Sequence, residues 1–195
     1  MCIPALRGKP ERPSAFPLEP SVQGRKPITA QVGDTAFIAF PISMNYWLMK
    51  SEPNEFGIDD LFNRPHQTEP WDGVRNYQAR NMMRDQMKCG DRVFFYHSNC
   101  DEPGIVGIAE VVREGYPDFL AFDPADKHFD PKSKPEQPRW FMVDVKFVKK
   151  LTRTLTLKEL KQHAELQDLA LVRRGNRLSI MPVSEPQWDF ILSLE

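Results

Sequence analysis

From Met44 onward the chain shows two periods of apolar residues, one near two and one near three to four. Residues 46–50 form a short apolar run and read as a first strand. Residues 55–62 carry Ile58, Leu61 and Phe62 at helical spacing and predict a short helix. Residues 63–70, with two prolines, read as a loop. The clearest helix is predicted over 76–88, where Ala79, Met82, Met83 and Met87 recur at three- and four-residue steps. Arg80, Arg84 and Lys88 form an i, i+4, i+8 stripe beside that face, and Cys89-Gly90 supplies a stop. Residues 91–98 and 105–113 predict two strands of a hairpin, joined by the turn-rich 99–104. A long polar loop follows over 114–138, a length that in compact domains accompanies function or mobility.

Residues 139–150 alternate Val143, Val145 and Phe147 against Asp144, Lys146 and Lys149, the pattern of a further strand. Thr156-Leu157-Lys158-Glu159 matches a capping box and predicts a helix to about His163. A second short helix is expected over about 166–174, stopped by Gly175, then a closing strand over 177–182. Ser184-Glu185-Pro186-Gln187 is another capping box, opening a last helix that docks through Trp188, Ile191 and Leu192. Strands arriving largely as hairpins, not in βαβ alternation, predict an α+β layout built on a small curved sheet or partial barrel.

Residues 1–43 break this pattern. They hold seven of the 18 prolines and little periodicity, which predicts a disordered extension or a segment upstream of a true start at Met44. The run Thr35-Ala36-Phe37-Ile38-Ala39-Phe40 is the exception, apolar enough to dock as an edge strand. Residues 44–195 are then the single folded domain.

Charge narrows the function. Lys and Arg total 26 against 27 Asp and Glu, so the formal net charge is −1. A protein that coats duplex DNA by neutralising phosphates is strongly basic, so any nucleic-acid contact here rests on local patches. Three cysteines without C-x-x-C spacing speak against a disulfide framework or a Cys-rich zinc site and fit a reducing interior. No apolar run approaches a membrane span.

Two segments carry the candidate chemistry: Trp47-Leu48-Met49-Lys50-Ser51-Glu52-Pro53 and Trp71-Asp72-Gly73-Val74-Arg75-Asn76-Tyr77-Gln78-Ala79-Arg80-Asn81. Each sets a large aromatic beside groups that donate and accept hydrogen bonds, which is what a pocket for one planar, polar ring requires. Trp71 reads as a stacking wall, or else as a plug at a barrel end. Lys50 and Ser51 sit where a strand ends: Ser51 suits a base edge and Lys50 a phosphate, with a strand-end cap as the alternative. Asn76 is an amide reader, a helix N-cap, or both. Tyr77 and Gln78 are weaker candidates. Arg80 heads the basic stripe and suits phosphate, or is a solvated helix face. Along 95–98, Tyr96 and Ser98 share one side, Phe95 and His97 the other. Cys–His catalysis through His97 with Cys89 or Cys100 needs convergence in space and an orienting third group, which nothing in the sequence demands, and a zinc site from the four histidines lacks tight ligand spacing. Lys146, Lys149, Lys150 and Arg153, and separately Arg173, Arg174 and Arg177, are candidate phosphate contacts or ordinary surface charge.

Taken together, segments 47–53, 71–81, Phe95-Tyr96-His97-Ser98, 104–112 and 178–184 resemble the EVE domain, a family of the PUA-like superfamily. The resemblance runs from Met44 to the C-terminus. The family is similar to YTH domains, readers of a methylated RNA base, whose Lys-Ser pair and downstream Trp are matched here by Lys50-Ser51 and Trp71. The resemblance implies a mixed β-barrel with surrounding helices and a pocket for a modified nucleobase, a modified cytosine (methylated or hydroxymethylated) in DNA foremost. It implies a reader, not an enzyme, with Lys50, Ser51, Trp71, Asn76, Tyr77, Arg80, Tyr96, His97 and Ser98 toward the ligand, and neither metal nor cofactor. The partner is then nucleic acid carrying a modified base, DNA ahead of RNA. The expected place is the cytoplasm beside the nucleoid in a bacterium or the nucleus in a eukaryote. A nucleoside-like small-molecule binder or enzyme and a protein-interaction domain stand as the alternatives.

Overall fold

The computed structural model describes residues 44–195. Its centre is one six-stranded sheet in the order β2-β5-β4-β3-β1-β6. The strands are β1 (Tyr46–Ser51), β2 (Thr68–Pro70), β3 (Arg92–His97), β4 (Gly104–Pro117), β5 (Phe141–Thr156) and β6 (Ile180–Val183). The β1–β3 pair is parallel and the other pairs are antiparallel. Four helices pack on it: α1 (Ile58–Asn63), α2 (Tyr77–Asp85), α3 (Leu157–Leu160) and α4 (Glu185–Ser193).

Period-two alternation in the central strands sorts their side chains into two cores. Trp47 and Met49 of β1 and Phe95 of β3 join Ile58 and Leu61 of α1 and Ala79, Met82 and Met83 of α2. Leu48, Phe94 and Tyr96 face the other way, against Leu160 of α3 and Trp188 and Ile191 of α4. The chain is therefore mixed α+β as expected, but the sheet does not close into a barrel. A barrel needs its first and last strands to bond; here β2 and β6 are separate edges. Both edges are short and carry a proline, Pro70 and Pro182, which removes a donor and blunts further pairing. Helices on both faces bury what a barrel would have enclosed.

Four elements differ from their sequence reading. β2 lies in the stretch read as a loop, since three residues with a proline show no period; it pairs with Asp144–Lys146 of β5. The parallel β1–β3 pair is a crossover through α1, β2 and α2, not a hairpin. Helix α2 ends at Asp85, before Lys88. The buried Asp91 carboxylate draws the Lys88 amide (2.9 Å), the Trp47 indole Nε1 (2.8 Å) and the Asn45 amide (3.0 Å), turning the chain out of the helix. Gly90, at φ +92, then makes the left-handed turn into β3. The helix expected over 166–174 is replaced by a 3-10 turn at Ala164–Leu166 and further tight turns that bury Leu166, Leu169 and Leu171. The run Thr35–Phe40 lies outside the described residues.

Thr156 caps α3 by accepting the Glu159 amide at 3.2 Å, while the Glu159 carboxylate turns to Arg153 instead of completing the box. At α4 the Gln187 side chain accepts the Ser184 amide at 3.1 Å. Strands β4 and β5 run longer than their patterns, because register shifts break the alternation, between Val111 and Tyr116 for the end of β4 and opposite Ile105/Gly107 for the end of β5. Gly115 lets α2 lie directly on β4: a Cβ there would stand 2.7 Å from the Met83 carbonyl oxygen.

Candidate nucleic-acid interface

Trp71 follows β2, and its amide bonds the Val143 carbonyl at 2.7 Å, carrying the edge one residue further. Its ring turns onto the α2 face of the sheet, 8% exposed, with an edge contact to Phe95 at 5.4 Å and 79°. The ring is thus part of the first core.

The loop from Asp72 to Asn76 is fixed by the segment that follows β4. Asp118 is fully buried. One of its oxygens accepts the Gly73 amide (3.0 Å) and the Arg75 guanidinium (2.7 Å); the other accepts the Leu120 amide (2.9 Å). Arg75 also donates twice to the His128 carbonyl, at 2.9 and 2.5 Å. Gly73 is required twice over, by its φ of +75 and by the His128 ring, which a Cβ would approach to 2.9 Å. Here the long polar loop acts as a brace for the Trp71–Asn76 segment.

Asn76 caps α2, accepting the Gln78 amide at 2.9 Å and the Ala79 amide at 3.1 Å. Both bonds use its carbonyl oxygen, so the amide NH2 is the end available to a ligand. In the first turn, Tyr77 stacks on Trp140 at 4.8 Å and 25°. The Tyr77 hydroxyl accepts from Arg139, and the Trp140 indole donates to Asp130 at 2.8 Å. The Arg80 guanidinium lies 5.0 Å from the Tyr77 ring centre and 5.9 Å from that of Trp140. It donates to Asn81 Oδ1 and to the Arg139 carbonyl. Burial, and then the neighbouring Arg84 charge, lowers its pKa from the ordinary guanidinium value.

His97 ends β3 on the same sheet face, with an edge contact to Phe95 at 5.7 Å. Its Nε2 accepts the Ile58 amide at the start of α1 (3.1 Å), which places the ring proton on Nδ1. Burial lowers its pKa, against an opposing pull from Asp59. Ser51 shares this face and donates to the Phe56 carbonyl at 2.6 Å. Ser98 ties the strand ends together, its amide (2.8 Å) and hydroxyl (3.3 Å) both donating to the Ser51 carbonyl.

The nine sequence candidates therefore do not all converge. Ser51, Trp71, Asn76, Tyr77, Arg80 and His97 belong to the α1/α2 side of the sheet. Lys50 and Tyr96 belong to the opposite side, because neighbours on a strand point to opposite faces, and Ser98 lies one residue past β3, bonded to the Ser51 carbonyl. The Lys50 ammonium sits 5.8 Å from the Tyr96 ring centre, and burial lowers its pKa. Tyr96 is part of the second core, its hydroxyl pushed up to about 12 by burial. Trp140 was missed: it is a single aromatic between a polar loop and a strand, and the adjoining Arg139 was its only signal.

The basic run on β5 is largely matched by carboxylates, Lys149 with Glu195, Lys150 with Asp59 and Arg153 with Glu159. Among the described residues no group of three or more His, Cys, Asp or Glu side chains could hold a metal ion. Nor is any helix among them long and apolar enough to cross a membrane.

An open sheet with helices on both faces, and an aromatic-lined face braced by a long loop, makes this a mixed α+β domain. The EVE domain model matches residues 45–194, and the chain belongs to that family. It is 48% identical over 168 residues to mouse thymocyte nuclear protein 1, an alignment covering 77% of this chain and 74% of the mouse protein. Among solved structures it is similar to the human THYN1 protein in complex with 5-methylcytosine-containing DNA. That match has 47% identity and a TM-score of 0.73, covering 77% of this chain and 96% of the other. It is also similar to a Pseudomonas syringae protein, at 50% identity and a TM-score of 0.73, over 76% and 98% of the two chains.

Proposed function

We propose that this chain is a binding module that captures a modified cytosine in DNA and does not transform it. The observation that carries the reading is the 47% identity, across nearly the whole of the human domain, to a protein crystallised with 5-methylcytosine-containing DNA. The chemistry of the braced face supports it. Trp71 is the ring that would wall the base site from the core side, and the Asn76 amide and the Ser51 hydroxyl offer a donor and an acceptor for a base edge. His97 serves as a fixed neutral wall, since its Nε2 is engaged with the Ile58 amide. Lys50 and Tyr96 stiffen the strand end from behind, and Ser98 holds β1 to β3. The reader is residues 44–195, and it works where its DNA is, in a nucleus or beside a nucleoid.

Taking a base out of the stack costs a few kcal/mol, which stacking and edge bonds in the pocket offset. A single methyl group adds roughly 1–3 kcal/mol of discrimination. Fluorescence anisotropy of the full chain tests this with matched oligonucleotides carrying cytosine, methylcytosine, hydroxymethylcytosine or N6-methyladenine at one salt concentration. Preference for one modified cytosine, weakened in Asn76→Asp and in Trp71→Phe, supports the reading. Equal affinity for all four, indifferent to both substitutions, refutes it.

A further inference from the structure

We infer that the stacked pair Tyr77 and Trp140, with Arg80 and Arg139 beside it, is a second nucleotide site that holds the base next to the captured one. The inference rests on the base-reading function and extends it from one nucleotide to two.

Tyr77 is 49% exposed, although it is a large ring at the start of a packed helix. Trp140 covers one side of it, and Arg139 holds its hydroxyl. The result is an immobilised, half-exposed aromatic ring with the guanidinium groups of Arg80 and Arg139 over it, which an incoming base can meet by stacking on the ring or on the Arg80 plane. Such a site stacks on a base without further loss of side-chain freedom.

The charges around it point to the same ligand. Arg75 and Arg80 lie 5.3 and 5.9 Å from the Trp140 ring centre, and Arg80 and Arg139 lie 5.0 and 5.9 Å from that of Tyr77. Arg75 is paired with Asp118 and Arg139 with Asp130. The hydrogen-bond acceptors of Arg80 are neutral, an amide oxygen and a backbone carbonyl. Positive charge thus stands beside the open ring, where a phosphate joining two nucleotides would neutralise it. Five residues separate Trp71 from Tyr77, so their Cα atoms lie at most ~22 Å apart even if the chain is extended. Asp118 pins the chain between them, so the two aromatic positions keep a fixed spacing.

Stacking tolerates any base, so the site senses whether a neighbouring base is present and is indifferent to its identity. Anisotropy of the full chain tests this on duplexes containing methylcytosine with intact neighbours, with an abasic site on its 5′ side, or with one on its 3′ side. An unmodified duplex serves as reference. One of the two abasic sites is expected to weaken wild-type binding about 5- to 150-fold, and the other to leave it unchanged. Tyr77→Ala is expected to bind the intact duplex that much more weakly and to ignore the abasic site. Tyr77→Phe keeps the ring and stays sensitive, and thermal melting of each variant reports its fold. Equal wild-type affinity for intact and abasic neighbours, with methylcytosine still preferred, overturns the second site and leaves the first standing. So does a Tyr77→Ala variant that remains sensitive. A wild-type protein that does not prefer methylcytosine overturns the base reading, and the second site with it.

Discussion

In Asp118→Ala, three donors lose one carboxylate at once: the Gly73 amide, the Leu120 amide and the Arg75 guanidinium. A buried donor left without a partner costs about 1–3 kcal/mol. Breaking a buried ion pair from one side costs about 3–5 kcal/mol. Arg75 keeps 23% of its side chain exposed and retains both bonds to the His128 carbonyl, so water and His128 absorb part of the loss. The expected cost is therefore near the bottom of the ion-pair range, about 3 kcal/mol. For a domain of this size that is a fall of roughly 6–12 °C in Tm. Asp118→Asn keeps the shape and one acceptor oxygen and should lose about half as much. In the double variant Arg75→Ala/Asp118→Ala the second substitution should cost less than it does alone, with an interaction energy of about 1–3 kcal/mol. Urea unfolding of wild type, Asp118→Ala, Asp118→Asn, Arg75→Ala and the double variant, followed by tryptophan fluorescence at fixed pH and salt, measures each term. An Asp118→Ala protein within about 0.5 kcal/mol of wild type, or strictly additive costs, would refute the brace.

His97 has a folded-state pKa below its ordinary value, so the unfolded chain takes up this proton first as pH falls. Its contribution is complete above pH 6.5 and is lost as pH drops through the lower folded value; in His97→Gln the difference in Tm from wild type should shrink over that window and be flat above it. Gly73→Ala meets both a φ of +75 and the His128 ring, and a loss of about 1–3 kcal/mol is expected. Adding His128→Ala should restore part of that loss in thermal melting, because it relieves the clash and leaves the backbone strain. Asn76→Ala should lose about 1 kcal/mol of helix capping, whereas Asn76→Asp keeps the cap and the Tm but removes the NH2. If methylcytosine affinity follows the Tm in both variants, Asn76 is a cap and nothing more.

Side-chain direction was readable wherever one strand kept its alternation: Phe95 and His97 do share a face, and Tyr96 takes the other. The same rule separates Lys50 from Ser51, yet their adjacency in the motif had grouped them. Closure was not readable, because it depends on whether β2 and β6 bond, and neither sequence nor period links two strands so far apart. The membership of Trp140 in the aromatic face was hidden for a related reason, since a lone ring at the end of a polar loop has no periodic partners. The early end of α2 came from Asp91, whose local bond to the Lys88 amide is fixed by two donors far away in sequence, Asn45 and Trp47, that only the folded chain brings to it. By contrast, the caps at Asn76 and Thr156 were legible, being local chemistry between residues two or three apart.

The segment after β4 carries a further meaning through Asp118. Order in a binding surface has an entropic cost, incurred either when the chain folds or when the ligand arrives. Here the Asp118–Arg75 pair and the His128 carbonyl settle that cost during folding, so Trp71 and Asn76 stand in place beforehand. Under the proposed function, stacking and edge bonds with DNA would then act on affinity without a further cost for ordering this loop. A long polar stretch that would look dispensable by composition is in this sense what holds the candidate surface in one shape before any ligand meets it.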